Sequence, residues 1–333
     1  MNQKTTLKQL SKELNVSVST VSKALNNSPE ISEKTIKRVK ELAALYGYKP
    51  NPVAVSLKRN KTYTLGILIP DILNHFFAKV LYGIEQKASE NGYKIITCLT
   101  NESLGKEKEY LTMLEYNKVD GVIAAMTRET QLKKDFEHFN LYKDSGKPLV
   151  LFDRVTDEID CDKVVVDDHK AAEEVFNYLV GQGRKNIGII STLPHLSVII
   201  GRLQGIENIP KDDTVQLEKL MIDNADEAEK LIDNFIRNSN FDAIIGLDET
   251  AGSIAINSAK HNNLDIPKQI AIVGFTDGLL AKNAYPKMSV VSQHGIELGG
   301  NAVKILLERM TDTKSGPKRF IQPTTLIKRA SSE

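Results

Sequence analysis

The sequence predicts a small all-α head, a short linker, and a larger α/β body made of two parallel-sheet subdomains. Apolar residues in the N-terminal stretch recur at helical spacing, whereas beyond Tyr63 short apolar runs alternate with amphipathic stretches. Between the two patterns lies Gly47-Tyr48-Lys49-Pro50-Asn51-Pro52, where each proline drives the residue before it into extended backbone and stops helical structure. Charge divides at the same place. Residues 1–62 hold twelve Lys/Arg against four acidic residues, a balance of +8 in a chain of net charge +1, so the remainder carries −7. A cationic head on an acidic body points to a polyanionic partner for the head, although a solvated lysine-rich surface would give the same balance.

In the head, Leu7, Leu10 and Leu14 mark one face of a first helix. Asn15 suits the turn that follows, because a short polar side chain tolerates left-handed backbone. Ser17 can cap a second helix whose buried face is Val21, Ala24 and Leu25, and Ser32 with Glu33 opens a third with Ile36, Val39, Ala43 and Tyr46 inward. The result is a helix-turn-helix. With Val21, Ala24 and Leu25 in the core, Val18, Ser19, Ser22 and Lys23 lie on the opposite face, where a major groove would meet them. Lysine reaches guanine or phosphate, serine donates or accepts with little base preference, and Val18 can touch a thymine methyl. Thr6, Lys8 and Thr20 would sit nearer the phosphates, positioning the head without choosing sequence. Other three-helix bundles share this spacing; the basic balance favours DNA. The linker segment 53–59 is too short for a stable free helix, since isolated helices under ~12 residues are marginal in water.

In the body, apolar runs at 65–69, 94–99, 121–125 and 149–152, with helical stretches at 76–91 and 106–116, form one block. Runs at 164–166, 187–190, 243–247 and 270–275, with helical stretches at 169–181, 198–206, 228–237 and 251–261, form a second, and 320–328 is strand-like. Two successive α/β blocks imply two subdomains with a ligand cleft between them. Cys98 and Cys161 stand far apart with no thiol or histidine at metal-ligand spacing, so reduced buried thiols are expected and no metal site. The histidines are scattered singly, no serine or cysteine is placed as a nucleophile, and no glycine-rich phosphate loop occurs in a strand-turn-helix context. Neither an enzyme nor a cofactor is expected. No apolar run approaches the ~20 residues of a membrane span, and Met1-Asn2-Gln3-Lys4-Thr5-Thr6 lacks the apolar core of a signal peptide, so the expectation is a cytoplasmic protein with no membrane partner. An exported solute-binding protein would need that signal, and a nucleotide-dependent enzyme would need a dinucleotide fingerprint.

The segment Thr6-Leu7-Lys8-Gln9-Leu10-Ser11, the run Val16-Ser17-Val18-Ser19-Thr20-Val21-Ser22-Lys23-Ala24-Leu25-Asn26, the pair of prolines Pro50 and Pro52, and Ala54 with Leu57 together resemble the head and hinge of the lactose-repressor (LacI/GalR) family. The body resembles that family's periplasmic-binding-protein-like sensor domain through Asn74-His75-Phe76-Phe77, Phe152-Asp153-Arg154, Gly201-Arg202-Leu203-Gln204-Gly205, Leu247-Asp248-Glu249, Gly274-Phe275-Thr276-Asp277 and Gln293. The resemblance implies a helix-turn-helix domain over 1–49, a hinge helix and linker over 50–62, and an effector-binding and dimerisation domain over 63–333. It implies a homodimer that binds operator DNA as a repressor, with Ser17 and Asn26 joining the DNA-binding set and the hinge inserting Leu57 into the minor groove beside Ala54. The effector it implies is a sugar or sugar derivative: Phe76 and Phe77 stack on it, Asp153 and Asp248 accept its hydroxyls, Arg202 donates, and Thr276 and Gln293 complete the wall. Each position has a plainer reading, with Phe76 in the core and Asp153-Arg154 as a structural ion pair. The chain departs from the family pattern in carrying lysine for arginine at Lys23 and threonine for aspartate at Thr276, and in a short stretch over 206–216.

Overall fold

The computed structural model describes residues 5–48, 61–210, 214–276, 278–312 and 314–333. The chain divides into two units, Met1–Thr62 and Tyr63–Glu333. The first contains α1 (Leu7–Leu14), α2 (Val18–Leu25) and α3 (Glu33–Leu45). Thr6 and Gln9 cap each other's backbone at the start of α1, and Asn15 closes it in left-handed backbone at φ 53°. Ser17 and Ser32 accept from the backbone N–H groups of Thr20 and Thr35 at 3.0 and 3.3 Å, each cap worth about 1 kcal/mol. Leu10, Val21, Ala24, Val39 and Ala43 form the core of the head. Tyr46, expected on the buried stripe, is instead 44% exposed at the end of α3, where its hydroxyl donates to Glu13 at 3.1 Å.

The second unit holds two six-stranded sheets. One contains β1 (Thr64–Ile69), β2 (Lys94–Leu99), β3 (Gly121–Ala124), β4 (Leu149–Phe152), β5 (Asp162–Val166) and β11 (Arg319–Gln322), all parallel, in the order β11-β5-β4-β3-β1-β2. The other contains β6 (Asn186–Ser191), β7 (Gln216–Met221), β8 (Ala243–Gly246), β9 (Ala271–Phe275), β10 (Ser289–Ser292) and β12 (Thr325–Ile327), in the order β12-β10-β9-β8-β6-β7. Only the edge strand β12 runs antiparallel there. Helices cover both faces, so the inner strands read as unbroken apolar runs such as Val-Ile-Ala and Ala-Ile-Ile-Gly.

The expectation of two consecutive blocks is corrected by this topology. The run at 164–166 opens no second block; it is β5 of the first sheet, and the chain crosses over only after it. It returns after β10 through α13 (Gly295–Thr311), which packs on α4 (His75–Glu90) of the first lobe, and crosses again between β11 and β12. The two helices meet backbone to backbone: a Cβ on Gly299 would lie 2.1 Å from the Val80 carbonyl oxygen, and one on Gly83 2.0 Å from that of Ile296. Glycine at both places anchors α13 to the first lobe. Apolar alternation reports burial and period but not which sheet a strand joins, so three crossings were invisible to it.

Candidate functional site

In the head, α2 carries Val18, 43% exposed, and an exposed Ser19 at its N-terminal end. The Ser17 hydroxyl lies 2.8 Å from the hydroxyls of both Ser19 and Thr20, a small polar cluster at a helix N-terminus where backbone N–H groups favour an anion. Ser22 and Lys23 are half-buried one turn on, and the Lys23 ammonium is ion-paired with Glu30. Asn26 ends the helix, its amide donating to the Ser22 carbonyl at 2.7 Å. Thr6 is occupied in the cap of α1, and Lys8 is exposed. The expected face therefore exists, with Lys23 tethered. Ala54 and Leu57 lie outside the described residues.

In the body, the ends of β1, β4, β6, β8, β9 and β10 converge on a cleft between the lobes, as open α/β sheets require. All seven residues expected around an effector line one cavity there, of about 50 Å³. On the first lobe, Asn74 caps α4 by accepting from the Phe76 N–H at 2.9 Å, which fixes the start of the helix. Phe76 is half-buried, its ring centroid 5.3 Å from that of Phe77 in an edge-on arrangement. Phe77 is 2% exposed and stands 6.1 Å from Phe152, so it supports the wall from the core while Phe76 forms more of its surface.

Asp153 directly follows β4 at φ 57°, a left-handed position that costs a non-glycine residue energy and that recurs at ligand sites. Its backbone N–H donates to Val164 at 3.0 Å, but among the described residues its carboxylate makes no hydrogen bond. Burial pushes that carboxyl up to about 6, against the pull of Arg154 and Arg202. The Asp153-Arg154 ion pair is not formed: Arg154 donates to Glu102 at 2.7 Å and lies over the Phe77 ring at 5.2 Å.

On the second lobe, Arg202 projects from α9 (Ser197–Glu207). Its Nε donates to Asp168 at 2.7 Å, its Nη1 to the Leu247 carbonyl at 2.6 Å, and its plane lies 4.4 Å from the centre of Phe275. Enclosure raises the Asp168 carboxyl, and Arg202 draws it back. Asp248 sits at the cleft in a different state. It caps α11 (Glu249–His261) and accepts from Ala251 N–H and Thr192 Oγ1, both at 2.9 Å, on one oxygen, and from Thr192 N–H at 2.7 Å and Ser191 Oγ at 2.9 Å on the other. Those four donors fill the four lone-pair positions of a carboxylate. Thr276 and Gln293 are buried at the ends of β9 and β10.

Residues that sequence reasoning missed join the lobes across the cleft. Arg128 and Gln131 lie on α6 (Arg128–Lys133) of the first lobe. Arg128 pairs with Asp223 of the second lobe at 3.2 Å and Gln131 Oε1 accepts from the Ser197 N–H at 2.8 Å, while within the second lobe His195 lies 2.9 Å from the same Asp223 carboxylate. No local motif marks them, because partners 66 to 95 positions apart meet only once both lobes exist. Among the described residues no cluster of His, Cys, Asp or Glu could hold a metal ion, and no helix is long and apolar enough to cross a membrane.

Comparison with known proteins bears on both regions. A family model described as bacterial regulatory proteins, lacI family, matches residues 6–51, and one described as periplasmic binding proteins and sugar binding domain of LacI family matches residues 62–330. The chain is 30% identical to the HTH-type transcriptional regulator RegA of Clostridium saccharobutylicum, over 98% of this chain and 99% of that one. It is 28% identical to the HTH-type transcriptional regulator DegA of Bacillus subtilis, over 99% and 98% respectively. In fold it is similar to the lac repressor dimer bound to operator and the anti-inducer ONPF, with a TM-score of 0.85 at 18% identity and 99% coverage of both chains.

Proposed function

The chain belongs to the LacI family of bacterial regulatory proteins, DNA-binding transcription regulators with a sugar-binding domain, and from that premise we propose a homodimeric cytoplasmic repressor whose effector is an uncharged sugar or sugar derivative. The observation that carries the effector class is the state of charge in the cleft. Both guanidinium groups there are already paired, Arg154 with Glu102 and Arg202 with Asp168, whereas the buried Asp153 carboxylate has no donor among the described residues. A ligand entering this cleft must bring hydroxyl or amine hydrogens to Asp153, and a phosphate would meet repulsion instead. Arg202 keeps free N–H groups for ring or hydroxyl oxygens, and Phe76 offers the apolar face on which a sugar ring stacks. Asp248 acts as a positioning residue: its four internal bonds hold the start of α11 and the turn after β6, so its neighbours meet the effector in fixed places.

In the head, Val18, Ser19, Ser22 and Lys23 are the base-reading face, with Thr6, Ser17, Thr20 and Asn26 fixing its approach to phosphates. Residues 50–62, running from the head into β1, carry Ala54 and Leu57 as the hinge, with Leu57 as the minor-groove wedge. Effector binding bridges Asp153 of the first lobe and Arg202 of the second, and the resulting lobe movement reaches the hinge through β1.

The test is selection of operator sequences by the purified chain from random duplexes, with and without a panel of uncharged and phosphorylated sugars. The expected result is an enriched near-palindrome whose retention shifts with an uncharged sugar. Enrichment of no palindrome would remove the regulator reading, and a response confined to phosphorylated sugars would remove the effector class. Leu57→Ala is expected to weaken specific operator binding while effector affinity stays unchanged.

A further inference from the structure

Arg154 is paired with Glu102 rather than with its neighbour Asp153, and that pairing ties the wall of the effector cavity to the contacts that join the lobes. We infer that Glu102 is a positioning residue, coupling the cavity wall at Arg154 to the cross-lobe pair of Arg128 with Asp223. The inference rests on the reading of the cleft as the effector site.

Glu102 is aimed by a strained turn. Between β2 and α5 (Leu104–Tyr116), Asn101 and Glu102 occupy left-handed backbone in succession, at φ 49° and 59°. Asparagine tolerates that region; for glutamate it is unfavourable, and such outliers cluster at functional sites. The Ser103 N–H closes the turn by donating to the carbonyl of the fully buried Thr100 at 3.1 Å. From there the Glu102 carboxylate accepts from Arg154 Nη1 at 2.7 Å on each oxygen, and from the backbone N–H of Arg128 at 2.7 Å on one of them. Arg154, 4% exposed, lines the cavity and lies over Phe77, another residue of its wall. Arg128 opens α6, and its side chain crosses to the second lobe, donating to the Asp223 carboxylate at 3.2 Å and the Asp223 carbonyl at 3.5 Å. One carboxylate therefore touches both the cavity wall and the base of the latch, through charge-assisted hydrogen bonds, the stronger class.

The other ties at the base of α6 stay within the first lobe, away from the cavity. The Thr127 N–H donates at 2.7 Å to Glu107, which is fully buried, accepts from the Thr130 hydroxyl and lies 2.8 Å from His138 Nε2. The Leu104 N–H donates to Glu129 at 2.8 Å. A second route from the wall is longer: Arg154 Nη1 lies 3.4 Å from the carbonyl of Met126, two residues before α6. A shift of Arg154 when a ligand fills the cavity moves the Glu102 carboxylate, and with it the start of α6 and Arg128.

The test is amide hydrogen exchange, followed by mass spectrometry, of the full-length chain without added sugar. Its outcome is independent of effector class, so loss of the uncharged-sugar reading in the operator selection would leave it standing. Parent, Arg154→Met, Glu102→Gln and the double variant form a cycle, read at residues 128–133 of the first lobe and 222–227 of the second. Arg154→Met is expected to speed exchange at both segments about tenfold in the parent background and less than about twofold in the Glu102→Gln background. Arg154→Lys, which keeps the charge but loses the planar fork, runs through the same cycle, so that a misfolded Arg154→Met leaves the result intact. A change confined to 128–133 would show a role in holding the first lobe together and overturn the coupling. No change at 128–133 overturns it as well, and an equal change with and without Glu102 does so by placing the route at Met126.

Discussion

Asp153→Asn isolates the cost of keeping an unpaired carboxylate in the cleft. The native environment raises this carboxyl from 3.8 to about 6, mainly by burial, with Arg154 and Arg202 opposing and Asp168 and Glu102 reinforcing the shift. Because the folded state holds the proton more tightly than the unfolded chain, the group favours folding fully below 3.8, and that contribution is lost as pH rises towards 6. The displacement corresponds to about 3 kcal/mol, most of which falls between about pH 4 and about pH 7. Asparagine is neutral throughout and, like aspartate, tolerates the left-handed backbone at φ 57°, so the substitution removes the charge without new strain. The stability of Asp153→Asn minus that of the parent is therefore expected to grow by about 2 kcal/mol over that pH interval. Urea unfolding followed by far-ultraviolet circular dichroism measures it, since the chain has no tryptophan. A difference that stays flat with pH, or that shrinks, would refute the assignment of Asp153 as a buried unpaired acid. The same variant is expected to lose effector affinity as it gains stability, the exchange expected where a strained, charged group is kept for binding.

Asp248→Asn is expected to do the reverse: with one acceptor oxygen replaced by a donor among four internal bonds, the body loses about 1–3 kcal/mol of stability on urea unfolding. An unchanged unfolding midpoint would contradict its role as a hub. Glu30→Gln releases Lys23 from its ion pair and is expected to raise affinity for a duplex about two- to fivefold at low salt, with the gain vanishing at high salt, in fluorescence anisotropy titrations. A gain independent of salt would rule out the electrostatic account. Asp223→Ala removes the shared partner of Arg128 and His195 and is expected to open the cleft, read as a larger radius of gyration of the effector-free protein in solution scattering and faster effector release. Identical scattering and release rates would show that the lobes are held elsewhere.

Much of the fold was legible because the head and the strands follow simple local rules. The caps at Ser17 and Ser32 and the left-handed Asn15 follow from side-chain chemistry alone, and each stands where the sequence puts it. Tyr46 failed because a residue at the right helical phase faces solvent when the helix ends beneath it. Strand β5 was read correctly as a strand and assigned to the wrong block, since parallel pairing depends on crossovers far away in sequence. The site shows the same boundary. Position after a strand marked Asp153 and Asp248 as equivalent acceptors, yet among the described residues one has no donor and the other has four. That difference lies in how many N–H and O–H groups the fold brings near, which no motif encodes.

The energetics of closure limit what can drive the regulator. The cross-lobe pair of Arg128 with Asp223 is partly exposed, and such a pair contributes about 0–1 kcal/mol. Moving a two-state equilibrium from one side to the other takes about 5.5 kcal/mol of differential affinity. The latch can therefore bias the lobes but cannot switch them, and the remainder must come from contacts that exist only when a ligand spans the cleft. Asp153 on the first lobe and Arg202 on the second are suited to that task, because among the described residues one is buried without a donor and the other keeps unused N–H groups. The close approach of backbones at Gly83 and Gly299 ties α13 to α4 within the first lobe. A ligand bound to one lobe alone would have equal affinity for open and closed forms and would not shift the balance between them.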